Sequence, residues 1–201
     1  SSDVCSSDLD MLYCDSPHDI ARRACRTVMD EVFNRLTAWL APILCFTAEE
    51  AWQSRHDDIH NSVHLRTYEK VPADWKNAAI DEKWLQIRKV RQVVMSALEA
   101  ARNDGKIGSS LQAAPVVHVN AAQQQAFDGE DIASLFITSA ASLTTEAAPA
   151  NAFKLDVVDD VAVSFEPAKG EKCARCWKIT TEVMAEKDIC DRCENVLSAG
   201  S

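Results

Sequence analysis

Glycine is scarce in this chain, at 5 of 201 residues. No G-x-x-x-x-G-K-[ST] or G-x-G-x-x-G run is present, so the usual phosphate-cradling loops are excluded. No apolar stretch approaches the roughly 18 residues of a membrane span. No charged-then-apolar segment opens the chain, so no secretory signal is read there. Basic charge is also short: 21 Lys+Arg stand against 31 Asp+Glu, for a net −10. That excludes an all-over basic nucleic-acid binder and leaves room only for a local basic patch.

Apolar residues, at 47%, suffice for a core, and 201 residues accommodate one large or two small domains. Cysteine is plentiful at 8 residues. Cys5, Cys14, Cys25 and Cys45 are scattered through the first quarter and read as ordinary thiols. Cys173, Cys176, Cys190 and Cys193 crowd into the last thirty residues. A chain with a real core has no need of disulfide staples.

Four regions follow from composition and periodicity. Residues 1–10 are Ser/Asp-rich and unlike the rest, and are expected to be foreign or disordered. Residues 11–105 read as a helical region. Ser16, Pro17 and Asp19 suit a helix start. Ile20, Ala24, Val28, Val32, Leu36, Trp39 and Leu40 then recur at helical spacing as a predicted core stripe, which Pro42 ends. Thr47 and Glu50 suggest a capping box for a short helix through Trp52. A second long helix is predicted from Asp81 to Asn103, with Trp84, Ile87, Val94, Leu98 and Ala101 as its stripe and Asn103-Asp104-Gly105 as its stop. Residues 106–166 read as a small α+β unit. Pro115–Val119, Phe153–Val158 and Val161–Phe165 are predicted strands, with a turn at Asp159-Asp160. Residues 167–201 form a compact cysteine-rich module. The expected fold is thus a mainly α helical bundle, then a small α+β unit, then a four-cysteine knuckle.

The pattern Cys173-x2-Cys176, thirteen residues, Cys190-x2-Cys193 is the strongest chemical signal. Each pair forms a knuckle that aims two thiolates at one point, and four thiolates make a tetrahedral Zn²⁺ site. A thirty-residue tail has too few apolar residues for its own core, and metal binding supplies the missing folding free energy. A redox pair, two disulfides or an iron–sulfur cluster would use the same residues. A closed four-cysteine site leaves no position for water or substrate, so the role expected of the ion is structural. Around the knuckle stand Lys169, Lys172, Arg175, Trp177 and Lys178, with Glu171 as the lone acid. Such a display suits phosphate contact and base stacking; packing of Trp177 over the metal site, with solvated lysines, is the plainer outcome.

Other signals are weaker. His56, His60 and His64 are four apart, but the residues between them favour a loop over a metal site. Cys25 and Cys45 are expected in the core, and Trp39, Trp52 and Trp84 in helix packing. The acidic pairs lie near no nucleophile, and no catalytic residue is assigned.

The stretch Leu12 to Trp52, with its LAPILCFTAEEAW segment, resembles the C-terminal helical region of bacterial isoleucyl-tRNA synthetases. So do Val63-His64-Leu65, the helix KWLQIRKVRQVVMSALEAAR and GKIGSSLQA (Gly105 to Ala113). The tail EKCARCWKI…ICDRC resembles that family's zinc-binding peptide. The resemblance covers residues 11–197. It implies an anticodon-binding region, one structural zinc on the four cysteines, and contacts to tRNA(Ile) through Arg175 and Trp177. Lys172 and Lys178 are added to these as candidate tRNA contacts from their place beside the knuckle. The resemblance also implies ligation of isoleucine to its tRNA with ATP, in a cytoplasmic enzyme expected to be monomeric and without a membrane partner. HIGH-like and KMSKS-like motifs are missing, so the catalytic domain and its ATP site are expected to lie outside this chain. Two other readings remain open: a DNA-binding zinc finger of the glycosylase type, and a zinc scaffold for protein partners.

Overall fold

The computed structural model describes residues 4–56, 58, 60–183 and 186–199, with side chains from Leu9 onward. The chain divides into two compact units. One is residues 17–76; the other joins residues 1–16 to residues 77–201.

The smaller unit holds the helices α2 (Ile20–Leu40) and α3 (Cys45–Gln53), followed by 3-10 turns at Val63–Leu65 and Ala73–Trp75. The helix α1 (Val4–Cys14) belongs to the larger unit. The N-cap of α2 is Asp19 rather than Ser16, because its carboxylate accepts from the free N–H groups of Ala21 and Arg22. The Thr47–Glu50 capping box does not form. The turn after Leu40 puts the N-cap of α3 at Leu44, three residues earlier, leaving Thr47 inside the helix.

The core of this unit is small: Ala41, Ala48, Trp52 and Val63, with Phe33 packed against them. Trp52 is buried, stacks on Phe33 at 6.1 Å and donates its indole N–H to the Asn61 carbonyl at 2.7 Å. Glu49 closes the loop by accepting from the Ser62 hydroxyl and the Val63 N–H, each at 2.9 Å. The predicted α2 stripe is not buried. Ile20, Val28, Val32, Leu36 and Trp39 are exposed, and Arg35, Thr37 and Ala38 are the buried residues. Within this unit α3 and the turn at Val63 pack on α2, and Trp75 and Glu69 meet it at Arg35, all away from the predicted stripe. Cys45, expected in the core, is exposed, and Cys25 is half-buried.

The larger unit is built on α4 (Ala78–Asn103), capped by the Asn77 side chain and stopped at Gly105, where φ is +70°. Of its predicted stripe, Ile87, Val94, Leu98 and Ala101 are buried and Trp84 is half-buried, and Val90, Val93 and Ala97 are buried beside them. These residues pack against β1 (Val116–His118), α5 (Ala121–Ala126), α6 (Ile132–Phe136), β2 (Ser142–Thr144) and β3 (Ala162–Ser164). The boundary expected at residue 105 therefore falls at residues 76–77 instead, because α4 shares its core with the sheet. Strand order is β2-β1-β3, with β1 parallel to β2 and antiparallel to β3. Phe153–Val158 is not a strand; Phe153 makes a single bridge to Val163, and the turn at Asp160 has φ +60°.

The tail forms a hairpin, β4 (Glu171–Lys172) and β5 (Ile179–Thr180), and the helix α7 (Asp191–Ala199). Gly170 is required before β4: its φ is +112°, and a Cβ there would lie 2.3 Å from the Thr180 backbone. Residues 1–10 were expected to be foreign or disordered. Residues 4–14 instead form α1, whose C-terminal end packs on the tail through Asp10 and Cys14; residues 1–3 lie outside the described residues. Among the described residues no helix is long and apolar enough to cross a membrane.

Candidate metal centre and nucleic-acid interface

The hairpin brings Cys173 and Cys176 to one point, and the start of α7 brings Cys190 and Cys193 to the same point. The Trp177 N–H bonds to the Cys173 carbonyl at 3.0 Å, closing the first knuckle. The Glu194 N–H bonds to the Cys190 carbonyl at 3.0 Å, closing the second. All four thiols are buried, and their sulfurs lie within 4.8 Å of one another. Cys176 Sγ and Cys190 Sγ are 3.7 Å apart. A disulfide needs about 2.05 Å. A tetrahedron with Zn–S bonds of about 2.3 Å has edges of about 3.8 Å. The donor set therefore fits a closed, tetrahedral, thiophilic metal site. It is the one group of metal-ligating residues found among the described residues, and His56, His60 and His64 form no such group.

The electrostatics agree. Burial pushes the Cys173 thiol up, but N–H groups of Cys176, Cys190 and Arg175 outweigh it and bring it to about 6. Burial raises Cys176 and Cys190. Four thiolates cannot share one buried point without a cation, and a bound divalent ion reverses that preference. Ser139 joins the hairpin to the α+β core: its hydroxyl donates to the Leu111 carbonyl at 2.5 Å and accepts from the Ile179 N–H at 2.6 Å.

The four basic and aromatic candidates part company here. Trp177 is 60% exposed and sits in the left-handed region at φ +66°. Lys172 Nζ lies 5.2 Å from the centre of its ring. Lys178 faces Asp10 at 3.8 Å. Arg175 turns inward: it donates to the carbonyls of Cys14 at 2.7 Å and Tyr13 at 3.1 Å and lies 3.6 Å from Cys193 Sγ. A cavity of about 540 Å³ opens beside Trp177, walled by Tyr13 and Lys178 with Leu111 and Ile137 beneath. Ile137, like Trp177 and Asp160, is left-handed, at φ +57°. Sequence reasoning missed Asp10, Tyr13, Cys14 and Asp15, all of which meet the tail. Arg192 bonds Asp15 at 2.7 Å and Asp10 at 2.9 Å. Burial and the Asp10 charge raise the Cys14 thiol.

Residues 1–118, more than half of the chain, match the family described as the anticodon-binding domain of tRNA ligase. The chain belongs to that family. Residues 170–196 of the chain match a second family, the zinc finger found in FPG and IleRS. The isoleucine–tRNA ligase of Agrobacterium fabrum is 48% identical over 183 residues, 90% of this chain and 19% of that protein. That of Ruegeria pomeroyi is 48% identical over 191 residues, 94% of this chain and 20% of that protein. That of Mesorhizobium japonicum is 48% identical over 178 residues, 87% of this chain and 18% of that protein. The chain thus spans about a fifth of the length of the curated relatives it matches. The zinc finger alone is shared with a glycosylase-type family, but the long helices match tRNA ligases, so the DNA-binding reading is not favoured.

Proposed function

We propose that this chain is the tRNA-gripping portion of an isoleucine–tRNA ligase. The ligation itself, with ATP and isoleucine, belongs to the part of the enzyme outside these 201 residues. Cys173, Cys176, Cys190 and Cys193 hold one structural Zn²⁺, which when bound fixes the knuckle. Trp177 stacks on an unpaired base near the anticodon of tRNA(Ile), and Lys172 and Lys178 meet the phosphates around it. Arg175 acts from behind the knuckle. The enzyme works in the cytoplasm as a monomer.

The observation that carries this reading is Trp177. A bulky residue in the left-handed region costs about 1–2 kcal/mol. A glycine would fill the same backbone position without that cost. A large aromatic is instead held in solvent, with Lys172 against its ring and a cavity at its side. Strain of this kind collects where a side chain must be presented to a ligand.

Fluorescence anisotropy with an anticodon stem-loop tests it. Trp177→Ala should weaken binding about 5- to 150-fold, the range of about 1–3 kcal/mol per stacked base. Binding should also fall with rising salt, as phosphate contacts require. Unchanged affinity in Trp177→Ala would refute the stacking role. The backbone adds its own check: Trp177→Gly should lose affinity equally while melting no lower than the parent.

A further inference from the structure

The residues around Arg175 tie two ends of the chain together. The carbonyls of Tyr13 and Cys14 are among the last four of α1, which have no partner within their own helix. Arg175 supplies donors to both, from 161 and 162 residues away. A cation at a helix C-terminus is also favoured by the helix dipole. The same guanidinium nitrogen that bonds the Cys14 carbonyl lies 3.6 Å from Cys193 Sγ. One planar fork therefore touches a metal-site sulfur and a helix end together. A second clamp stands beside it, where Arg192 holds Asp10 and Asp15. Cys14 is buried in the same cluster as the four metal-site cysteines.

We propose that Arg175 is a positioning residue that couples the four-thiolate site to the docking of residues 10–15, so that the metal state of the knuckle decides whether this segment stays down. This rests on the zinc reading above. With the ion bound, the knuckle fixes Cys193 Sγ beside the guanidinium, and that contact orients Arg175 towards the α1 carbonyls. With the ion removed, the knuckle no longer fixes Cys193, that orientation is lost and the helix end loses its donors. The clamped segment runs directly into Ser16, where the chain leaves this unit, so the latch fixes that exit point. Asp10, Tyr13 and Cys14 also wall the cavity beside Trp177, so the same latch shapes the proposed RNA contact.

Alkylation of the intact, zinc-loaded chain by iodoacetamide, read by peptide mass mapping, tests the coupling. Exposed Cys45 serves as the internal reference for reagent access. Cys14 should label slowly in the parent. In zinc-loaded Arg175→Lys it should label about tenfold faster or more, the effect of losing one charge-assisted hydrogen bond, while Cys45 is unchanged. Lysine keeps the charge but cannot span two carbonyls and a sulfur. Chelation should open Cys14 in the parent by a similar factor and add little in Arg175→Lys, because both act on one linkage. An Arg175 that only pinned α1 would leave Cys14 protected in the chelated parent, and that result overturns the proposal. Protection retained in zinc-loaded Arg175→Lys overturns it as well. Amide exchange at Ile87 and Val94 reports whether α4 stays folded; where chelation loosens it, the zinc-loaded variant decides alone. A parent that binds no zinc refutes the metal reading and the coupling with it, whereas bound zinc without the Cys14 response refutes the coupling only.

Discussion

Helix α4 sinks Ile87, Val90, Val93, Val94 and Leu98 into a core, whereas α2 leaves Val28, Val32, Leu36 and Trp39 in solvent. Both helices carry apolar residues at the same 3-4 spacing. The difference lies in what the chain supplies next. After α4 come strands and two short helices whose inner faces return onto it, including Phe127, Phe136, Val117 and Val163. After α2 come one short helix and loops, which cover Phe33, Arg35 and Ala41 and leave the predicted stripe open. Periodicity reports that a face is apolar; the neighbours decide whether it is covered.

The knuckle adds a third regime. Among the described residues its buried members are almost all cysteines, with Val183 and Ile189 as the apolar support beyond Cys14. Such a module should depend on metal more than on packing. Cys176→Ser is therefore expected to have the largest effect: loss of bound zinc and of amide protection from Cys173 to Cys193, with residues 17–76 unchanged. Structural zinc in such modules supplies about 10–16 kcal/mol of apparent binding free energy. Retention of one zinc per chain with native protection would refute it. Acid should release the ion, because thiolates must take up protons.

The packed cores come next. Phe136→Ala in the larger unit and Trp52→Ala in the smaller should each cost about 3–5 kcal/mol, measured by denaturant unfolding. If the two units are as separate as their cores, each change should shift amide exchange in its own unit and spare the other.

A smaller effect is expected from acid on residues 17–76. The Gln53 amide, with the Ser62 hydroxyl and the Val63 N–H, holds the Glu49 carboxyl below the ordinary carboxylate range. A depressed folded-state pKa adds stability at neutral pH that is lost as pH falls through that range. Protection of the Val63 amide should therefore weaken below about pH 4, the ordinary glutamate pKa. In Glu49→Gln that acid dependence should disappear. The smallest effect is expected on the open face of α2: Val32→Ser with Leu36→Ser should change stability by no more than about 0.5 kcal/mol each, as at ordinary surface sites. A loss of several kcal/mol would mean that this stripe is buried in solution.

Much of the candidate site was legible from spacing. Two C-x-x-C pairs thirteen residues apart need only local knuckle geometry to converge, and the sulfurs do converge. The α4 stripe and its stop at Gly105 were also readable, because they rest on local periodicity and a positive φ. The fate of Arg175 was not. The resemblance implies that Arg175 contacts tRNA beside Trp177, yet its guanidinium is bonded within the chain, to Tyr13 and Cys14, while Trp177 is exposed. No pattern of charge or hydropathy announces a hydrogen bond across 161 residues.

By itself, the sequence determined the two long helices, the four-thiol cluster and the kinship with tRNA ligases, because each is written in short-range spacing or in a run of matching residues. Tertiary structure alone decided that α4 joins the sheet, that the α2 stripe stays open and that Arg175 serves the chain's other end. Those outcomes depend on which distant surfaces meet, and burial is settled by contact between segments, not by the order of residues within one.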